Sequence, residues 1–291
     1  MEDKTSFRPM SKDIHGQKLP YPAKQSDMQP LPADHMKNYQ AANKLAGKVA
    51  LITGGDSGIG RSVALAYAME GADVAFVYNV NDEDAEETKK MVEETGRKCF
   101  VIKGDVRSMS ECKRFVEMTL NEYGKLNILV NNAAFQQANE KFLDVSEDEI
   151  RRTFETNIFG YMFMAQSVLP HLKCGDTIIN TGSIVGLVGL KNLIPYTASK
   201  AAIHTFTKSL ALNLGREGIR VNCVVPGPIW TPNIPGTMPI EEVENFGHEV
   251  ALERPGQPEE VAPAYVFLAS QDSSFVTGAL YEVTGGRLSP G

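Results

Sequence analysis

Val49-Ala50-Leu51-Ile52-Thr53-Gly54-Gly55-Asp56-Ser57-Gly58-Ile59-Gly60 is the stretch that decides the fold. Its first four residues are a short apolar run of strand type. A helical run follows from Arg61 to Glu70. Strand, glycine-rich turn and helix in succession give the glycines a meaning. They let the chain turn tightly and let a pyrophosphate approach the backbone at the N–H-rich end of a helix. The spacing is GxxxGxG, not the commoner GxGxxG.

The alternation continues outward. Strands are expected at Asp73 to Tyr78, Cys99 to Lys103, Asn127 to Val130, Thr177 to Asn180, Arg220 to Val225 and Ala279 to Val283. Helices are expected at Asp82 to Thr95, Ser108 to Tyr123, Glu147 to about Leu172, Ile194 to Gly215 and Pro258 to Ser270. Repeated βα units imply one parallel α/β sheet, doubly wound in the Rossmann manner, with helices on both faces. Ligands of such sheets bind beyond the carboxyl ends of the strands. Asp105, Asn131, Ser183 and Pro226 all fall just past a strand, as does the glycine turn.

Within the Ile194 helix lies Tyr196-Thr197-Ala198-Ser199-Lys200. Tyr196 and Lys200 are four apart and share a helix face. A neighbouring ammonium favours phenolate, so the tyrosine pKa is expected to fall from about 10 toward working pH. Such a phenol exchanges protons with a carbonyl or alcohol oxygen. Taken alone, the pair is more often a surface contact; the motifs around it change that reading.

The 291 residues are 42% hydrophobic, enough for a sizeable core, and carry a formal charge of -7. That balance argues against a nucleic-acid or anionic-membrane surface. No apolar run approaches the ~20 residues of a membrane span. The charged start, Met1-Glu2-Asp3-Lys4, lacks the apolar core of a signal peptide. Cys99, Cys112, Cys174 and Cys223 are scattered, and the histidines show no ligand spacing. A reduced, cytoplasmic protein without a metal is the expectation. Residues 1–45 stand apart, with Pro9, Pro20, Pro22, Pro30 and Pro32 among polar residues. They read as an extended arm ahead of one domain, 46–291. Two readings of the arm stand side by side: a disordered tail or leader, and a strap packed on its own or a neighbouring subunit.

The set Thr53-Gly-Gly-Asp-Ser-Gly-Ile-Gly60, Asp105-Val106, Asn131-Asn-Ala133, Asn157, Ser183, Tyr196-x-x-x-Lys200 and Pro226-Gly227 resembles the short-chain dehydrogenase/reductase family. The resemblance runs from about Lys48 to Leu288. It looks most like bacterial members with a proline-rich N-terminal extension, a group that includes stress-associated and sugar- or alcohol-type dehydrogenases. It implies an NAD(P)-dependent oxidoreductase interconverting an alcohol and a ketone or aldehyde. Tyr196 would be the general acid/base, and Lys200 would lower its pKa and hold the nicotinamide ribose. Ser183 would donate to the substrate oxygen, and Asn157 would hold a water linking Lys200 to solvent. The resemblance places the cofactor against Gly54, Asp56, Ser57, Gly58, Ile59, Gly60, Tyr78, Asn79, Asp105, Val106, Asn131 and Ala133. It adds Pro226, Gly227, Ile229 and Thr231 at the nicotinamide. For Asp105 a hydrogen bond to the adenine amino group is favoured over an N-cap of the next helix. The chain departs from the family at Ala134, usually Gly, and at Thr284, often Asp.

The substrate would be a small alcohol or carbonyl compound. The segment from Trp230 to about Glu253 would close the pocket, with Ile234, Met238, Phe246, Phe135 and Leu187 as walls. A homotetramer is expected from the resemblance and from apolar residues on more than one side of the Glu147 and Ile194 helices. NAD is expected over NADP, with NADP still possible. Tyr78-Asn79-Val80-Asn81 presents no base where the second strand ends, and Ser57 stands where NADP enzymes of the family commonly carry one. Arg61 falls one residue too late, and Asp82, Glu83 and Asp84 follow without an opposing cation. The competing readings are a non-catalytic nucleotide-binding regulator on the same fold and a scaffold working through its arm.

Overall fold

A computed structural model describes residues 8–287. Met1–Lys4 and Leu288, both used in the sequence reading, lie outside the described residues. Seven strands form one all-parallel sheet in the order β3-β2-β1-β4-β5-β6-β7. They are β1 Val49–Thr53, β2 Asp73–Tyr78, β3 Cys99–Lys103, β4 Ile128–Asn131, β5 Thr177–Thr181, β6 Arg220–Pro226 and β7 Leu280–Val283. The order reverses between β1 and β4, so the chain winds to one side and then the other. That leaves a crevice at the carboxyl edge, where ligands bind in such sheets. β1, β4 and β5 are buried at every residue, as expected of strands covered on both faces.

The covering helices are α1 Gly58–Met69, α2 Asp82–Glu93, α3 Met109–Tyr123, α4 Glu147–Phe154, α5 Gly160–Val168, α6 Val185–Val188, α7 Ile194–Leu214, α8 Asn233–Thr237, α9 Ile240–Val243 and α10 Pro258–Ala269. α1 and α10 pack together on one face, burying Val63, Tyr67, Val261 and Tyr265. α3, α5 and α7 cover the other. Serines start two helices as N-caps: Ser108 accepts from the Glu111 N–H, and Ser146 from that of Glu149. Ser108, not Asp105, therefore caps α3.

The single long helix expected from Glu147 to Leu172 is broken. A π-helical turn, Glu155–Phe159, separates α4 from α5, and a 3-10 turn, Leu169–His171, ends it. One side chain explains the interruption: Asn157 Oδ1 accepts from the Phe135 N–H (2.8 Å), and its Nδ2 donates to the Phe135 carbonyl (2.9 Å) and to Ser199 Oγ (2.9 Å). The widened turn lets a buried amide satisfy a loop backbone instead of facing its own helix.

Residues 8–47 contain only two short 3-10 turns but are richly bonded to the rest. Ile14 and Met28 are buried with Trp230, Met238 and Val243. The Trp230 indole donates to the Pro30 carbonyl (2.8 Å), Asn245 N–H to the Ile14 carbonyl (3.1 Å), and Leu19 N–H to the Pro235 carbonyl (3.0 Å). Further along, the Asn81 amide donates to the Ala23 carbonyl (3.0 Å), and the Gln25 N–H to the Asp84 carboxylate (3.1 Å). This part of the arm therefore lies across the crevice, touching the loops that flank both of its sides.

Candidate active site

The crevice is a cleft of about 690 Å³ along the carboxyl edge of the sheet. That is room for a ligand of dinucleotide or drug size, given that such pockets run from about 300 to 1,000 Å³. Its floor is the glycine turn. Gly54 has φ +65 and a Cβ there would approach Ala133 Cα to 3.0 Å; Gly58 has φ +54 and a Cβ would meet Thr231 Cγ2 at 3.0 Å. Two strained positions pinned between neighbouring loops explain glycine at both and keep the turn low. A bulky diphosphate ligand fits this cradle.

Most residues named from the sequence line the cleft: Gly54, Asp56, Ser57, Gly58, Ile59, Tyr78, Asn79, Asp105, Val106 and Ala133 at one end, and Ser183, Tyr196, Lys200, Pro226, Gly227, Ile229 and Thr231 at the other. Three do not. Gly60 sits under the turn, where a Cβ would overlap the Gly54 carbonyl, so its role is to let α1 pack on the turn. Asn131 is fully buried and donates to Asn180 Oδ1 (3.0 Å); its neighbour Asn132 lines the cleft instead. Asn157 is fully buried, and its amide is taken up by Phe135 and Ser199. At the end of β4 a motif does not tell which of two successive side chains, Asn131 or Asn132, turns inward; Asn157 turns from the cleft because the π-helical turn aims its amide at the Phe135 backbone.

Tyr196, Ser183 and Lys200 converge. The Ser183 hydroxyl hydrogen-bonds Tyr196. Lys200, 1% exposed, holds its ammonium 5.4 Å from the Tyr196 ring centre. Its Nζ donates to the Thr181 carbonyl at 2.8 Å. The expected lowering of the tyrosine pKa is not found. Burial pushes Tyr196 up to about 12, with the Ser183 hydrogen bond pulling the other way. Burial likewise pulls Lys200 down to about 8. The reason is common to both: each must ionise away from water, and the ammonium is spent on a carbonyl rather than on the phenol. Under Ser183 lies His204, whose Nε2 accepts from the Ser183 N–H (3.4 Å); burial takes its pKa down to about 4, so it stays neutral. Sequence reading passed over it, because a lone histidine in a helix carries no spacing signal.

The charges at the adenosine end also differ from expectation. Asp82 pairs with Lys103 at 2.6 Å and accepts from the Tyr78 hydroxyl at 2.7 Å. Glu83 pairs with Lys24 of the arm at 2.8 Å, and Asp84 with Arg61 at 3.2 Å. Each of the three carboxylates thus has a cation, supplied by segments distant in sequence, so the charge repulsion assumed for a 2′-phosphate is overstated. Arg61 is buried against Asp34, Asp84 and Thr88 and does not face the cleft. Asp105 binds Arg107 through side chain and backbone. Asp56 is pushed up to about 6, by burial first and by the Asp84 charge after it. The α1 N–H of Gly58, expected to be open to a phosphate, donates to Gln25 Oε1 of the arm at 2.8 Å.

Of the expected substrate walls, Ile234, Met238, Phe246 and Phe135 are in place. Leu187 is not: it packs against the buried cluster that contains Ile184 and Ile203, and Leu190 and Leu193 take the wall. Trp230 is fully buried behind the segment it begins. The arm adds Tyr21, Pro22 and Ala23 to the rim, and α4 adds Arg152. No helix among the described residues is long and apolar enough to cross a membrane. Among them too, no three His, Cys, Asp or Glu residues are grouped as a metal site.

Comparison with known proteins gives a consistent picture. The family model described as enoyl-(acyl carrier protein) reductase matches residues 54–287. The chain is 51% identical to general stress protein 39 of Bacillus subtilis over 91% of this chain and 93% of that one. It is 46% identical to glucose and ribitol dehydrogenase of Daucus carota (92% and 94% covered) and to NADPH-dependent aldehyde reductase 1, chloroplastic, of Arabidopsis thaliana (92% and 95%). Among solved structures it resembles a short chain dehydrogenase from Burkholderia cenocepacia in complex with NADP, with a TM-score of 0.77, 31% identity, and 84% and 98% covered.

Proposed function

We propose how this chain, which belongs to the short-chain dehydrogenase/reductase family, carries out its reaction. It is an NAD(P)-dependent oxidoreductase that interconverts an alcohol and a ketone or aldehyde. Tyr196 is the general acid/base: its phenol gives a proton to the carbonyl oxygen in reduction and takes one from the alcohol in oxidation. Ser183, bonded to Tyr196, orients the substrate oxygen and stabilises charge developing on it. Lys200 holds the ribose of the bound cofactor, and its charge then acts on the phenol. Asn157 works from behind, fixing the Phe135 loop and, through Ser199, the start of α7. When bound, the nicotinamide ring gives or accepts the hydride. The observation that carries this reading is the convergence of Tyr196, Ser183 and Lys200 at one end of a cleft whose other end is the glycine turn.

The cofactor residues are those at the cleft: Gly54, Asp56 to Ile59, Tyr78, Asn79, Asp105, Val106, Asn132, Ala133, Pro226, Gly227, Ile229 and Thr231. Discrimination at the ribose 2′ position is small, with NAD favoured by less than about tenfold. The strand-end residues facing the cleft, Tyr78 to Asn81, are uncharged, while Lys24 and Lys103 are occupied by Glu83 and Asp82. NADP remains a working alternative, as the name of the Arabidopsis relative and the Burkholderia complex suggest. Calorimetric titration with both cofactors tests this, and tighter NADP binding overturns the preference.

The substrate is a hydroxylated aldehyde, sugar or polyol. Gln136, Asn233 and Glu242 offer polar contacts among the apolar walls Leu190, Leu193, Met238 and Phe246, and two relatives carry matching names. A panel of polyols, aldehydes and an enoyl thioester, followed by nicotinamide absorbance, is the test; turnover of the thioester alone refutes it. The working unit is a cytoplasmic homotetramer built from an arm, 1–45, and a catalytic domain, 46–291. Phe159, Met162 and Leu212 are exposed on the helices that would meet a partner. Light scattering that gives a monomer at micromolar concentration refutes the assembly.

A further inference from the structure

Four lysines and arginines line the cleft among the described residues: Arg107, Arg152, Lys200 and Arg287. Three are engaged. Arg107 pairs with Asp105 (2.6 Å), Arg287 with Glu249 (3.3 Å), and Lys200 donates to the Thr181 carbonyl. Arg152 has no carboxylate partner among the described residues. Its guanidinium lies 4.2 Å from the Phe135 ring centre and 5.4 Å from that of Tyr21. The two rings meet edge to face, with centres 5.7 Å apart at 79°. One comes from the loop after β4, the other from the arm. The guanidinium lies over the Phe135 ring and hydrogen-bonds Tyr21, which leaves its remaining N–H donors for a ligand. That planar fork matches the oxygens of a phosphate.

The surroundings call for such a charge. Despite burial, Asp105 is held below the usual carboxylate range by its hydrogen bonds to Arg107 first and by the more distant Arg152 charge last, and both Arg152 and Asp56 act on Tyr21. A diphosphate seated on the glycine turn therefore has the Asp56 carboxyl beside it, which opposes it once ionised. The backbone offers it less than the turn motif implies, since Gln25 already occupies the Gly58 N–H. The arm removes one donor from the glycine turn and, through Tyr21, steadies a cation opposite it.

We propose that Arg152, held between Phe135 and Tyr21, binds the diphosphate of the dinucleotide, so that the arm completes the cofactor site. This rests on the cofactor reading above. The test is calorimetry of the full chain with NAD(H), NADP(H), 5′-ADP, 2′,5′-ADP and adenosine, for wild type, Arg152→Ala, Arg152→Lys and Tyr21→Leu. Loss of one charge-assisted contact corresponds to roughly ten- to a hundredfold in Kd. Arg152→Ala should weaken NAD(H) and 5′-ADP by that much and leave adenosine within about twofold. Arg152→Lys should recover part of the loss, because it restores charge without the fork. Tyr21→Leu should weaken 5′-ADP by about threefold or more, the guanidinium having lost its hydroxyl partner and one of its two neighbouring rings. Arg152 and Tyr21 are both exposed, so melting curves should stay close to wild type. Unchanged 5′-ADP affinity in Arg152→Ala overturns the proposal. So does a loss confined to 2′,5′-ADP, or one seen only as a raised KM for an anionic substrate. A wild-type protein that binds neither NAD(H) nor NADP(H) overturns the cofactor reading itself.

Discussion

Replacing Lys200 by methionine should stabilise the protein at pH 7 while removing its activity. The ammonium is 1% exposed, and burial lowers its pKa from 10.5 to about 8. At about 1.4 kcal/mol per tenfold change in proton affinity, carrying that charge in the folded state costs about 3 kcal/mol. Methionine has nearly the same shape and no charge. The Thr181 carbonyl would keep the Tyr161 hydroxyl, 3.3 Å away, as a donor, so no buried acceptor is orphaned. Allowing for imperfect repacking, the gain should be about 1–3 kcal/mol. The pH dependence makes the argument specific. Below pH 8 the folded protein bears the full cost. Between 8 and 10.5 it sheds the proton while the unfolded chain keeps it, so the cost that Lys200 adds to wild-type stability is relieved as pH rises over that window. The variant lacks this rise, and its advantage should shrink from pH 7 to pH 10. Urea unfolding of both proteins at the two pH values measures it. A variant less stable than wild type at pH 7, or an advantage that does not change with pH, refutes the reasoning.

Tyr196→Phe should cut turnover by about 10²–10⁴-fold with cofactor affinity near normal, read by stopped-flow and calorimetry; wild-type kcat would remove Tyr196 from the mechanism. Asp56, pushed up to about 6, ionises as pH rises through that value and then opposes a phosphate, so cofactor affinity should fall from pH 5 to pH 7. Asp56→Asn should flatten that dependence, and an equal slope in the variant would clear Asp56 of the effect. Asn157→Ala leaves the Phe135 N–H without its buried acceptor and should cost about 1–3 kcal/mol, read as a lower Tm together with weaker cofactor binding; a Tm equal to wild type would contradict the clamp. Asn79→Arg should shift preference toward NADP by about tenfold or more in titrations of both cofactors, and an unchanged ratio would remove Asn79 from the ribose site.

The sequence by itself determined the succession of strands and helices: apolar runs, turns and helices alternate as a parallel, doubly wound sheet requires, and five of the seven strands begin at the residue the pattern marks, β4 and β7 starting one residue later. It also put Tyr196 and Lys200 on one face of α7, because they lie one helical turn apart and that spacing survives any tertiary detail. Tertiary structure decided the rest, for three physical reasons. Ionisation depends on burial, which cannot be read from neighbours along a helix, so the phenol expected to be acidic is held near 12. Charge balance depends on residues remote in sequence: Lys24, Arg61 and Lys103 neutralise the acidic start of α2 from three separate segments. The arm, finally, has no periodicity to read, since its order comes from hydrogen bonds and buried side chains spread over partners as distant as Trp230, Pro235 and Gln257. A segment without secondary structure is legible only through what it touches, and here it touches the cleft.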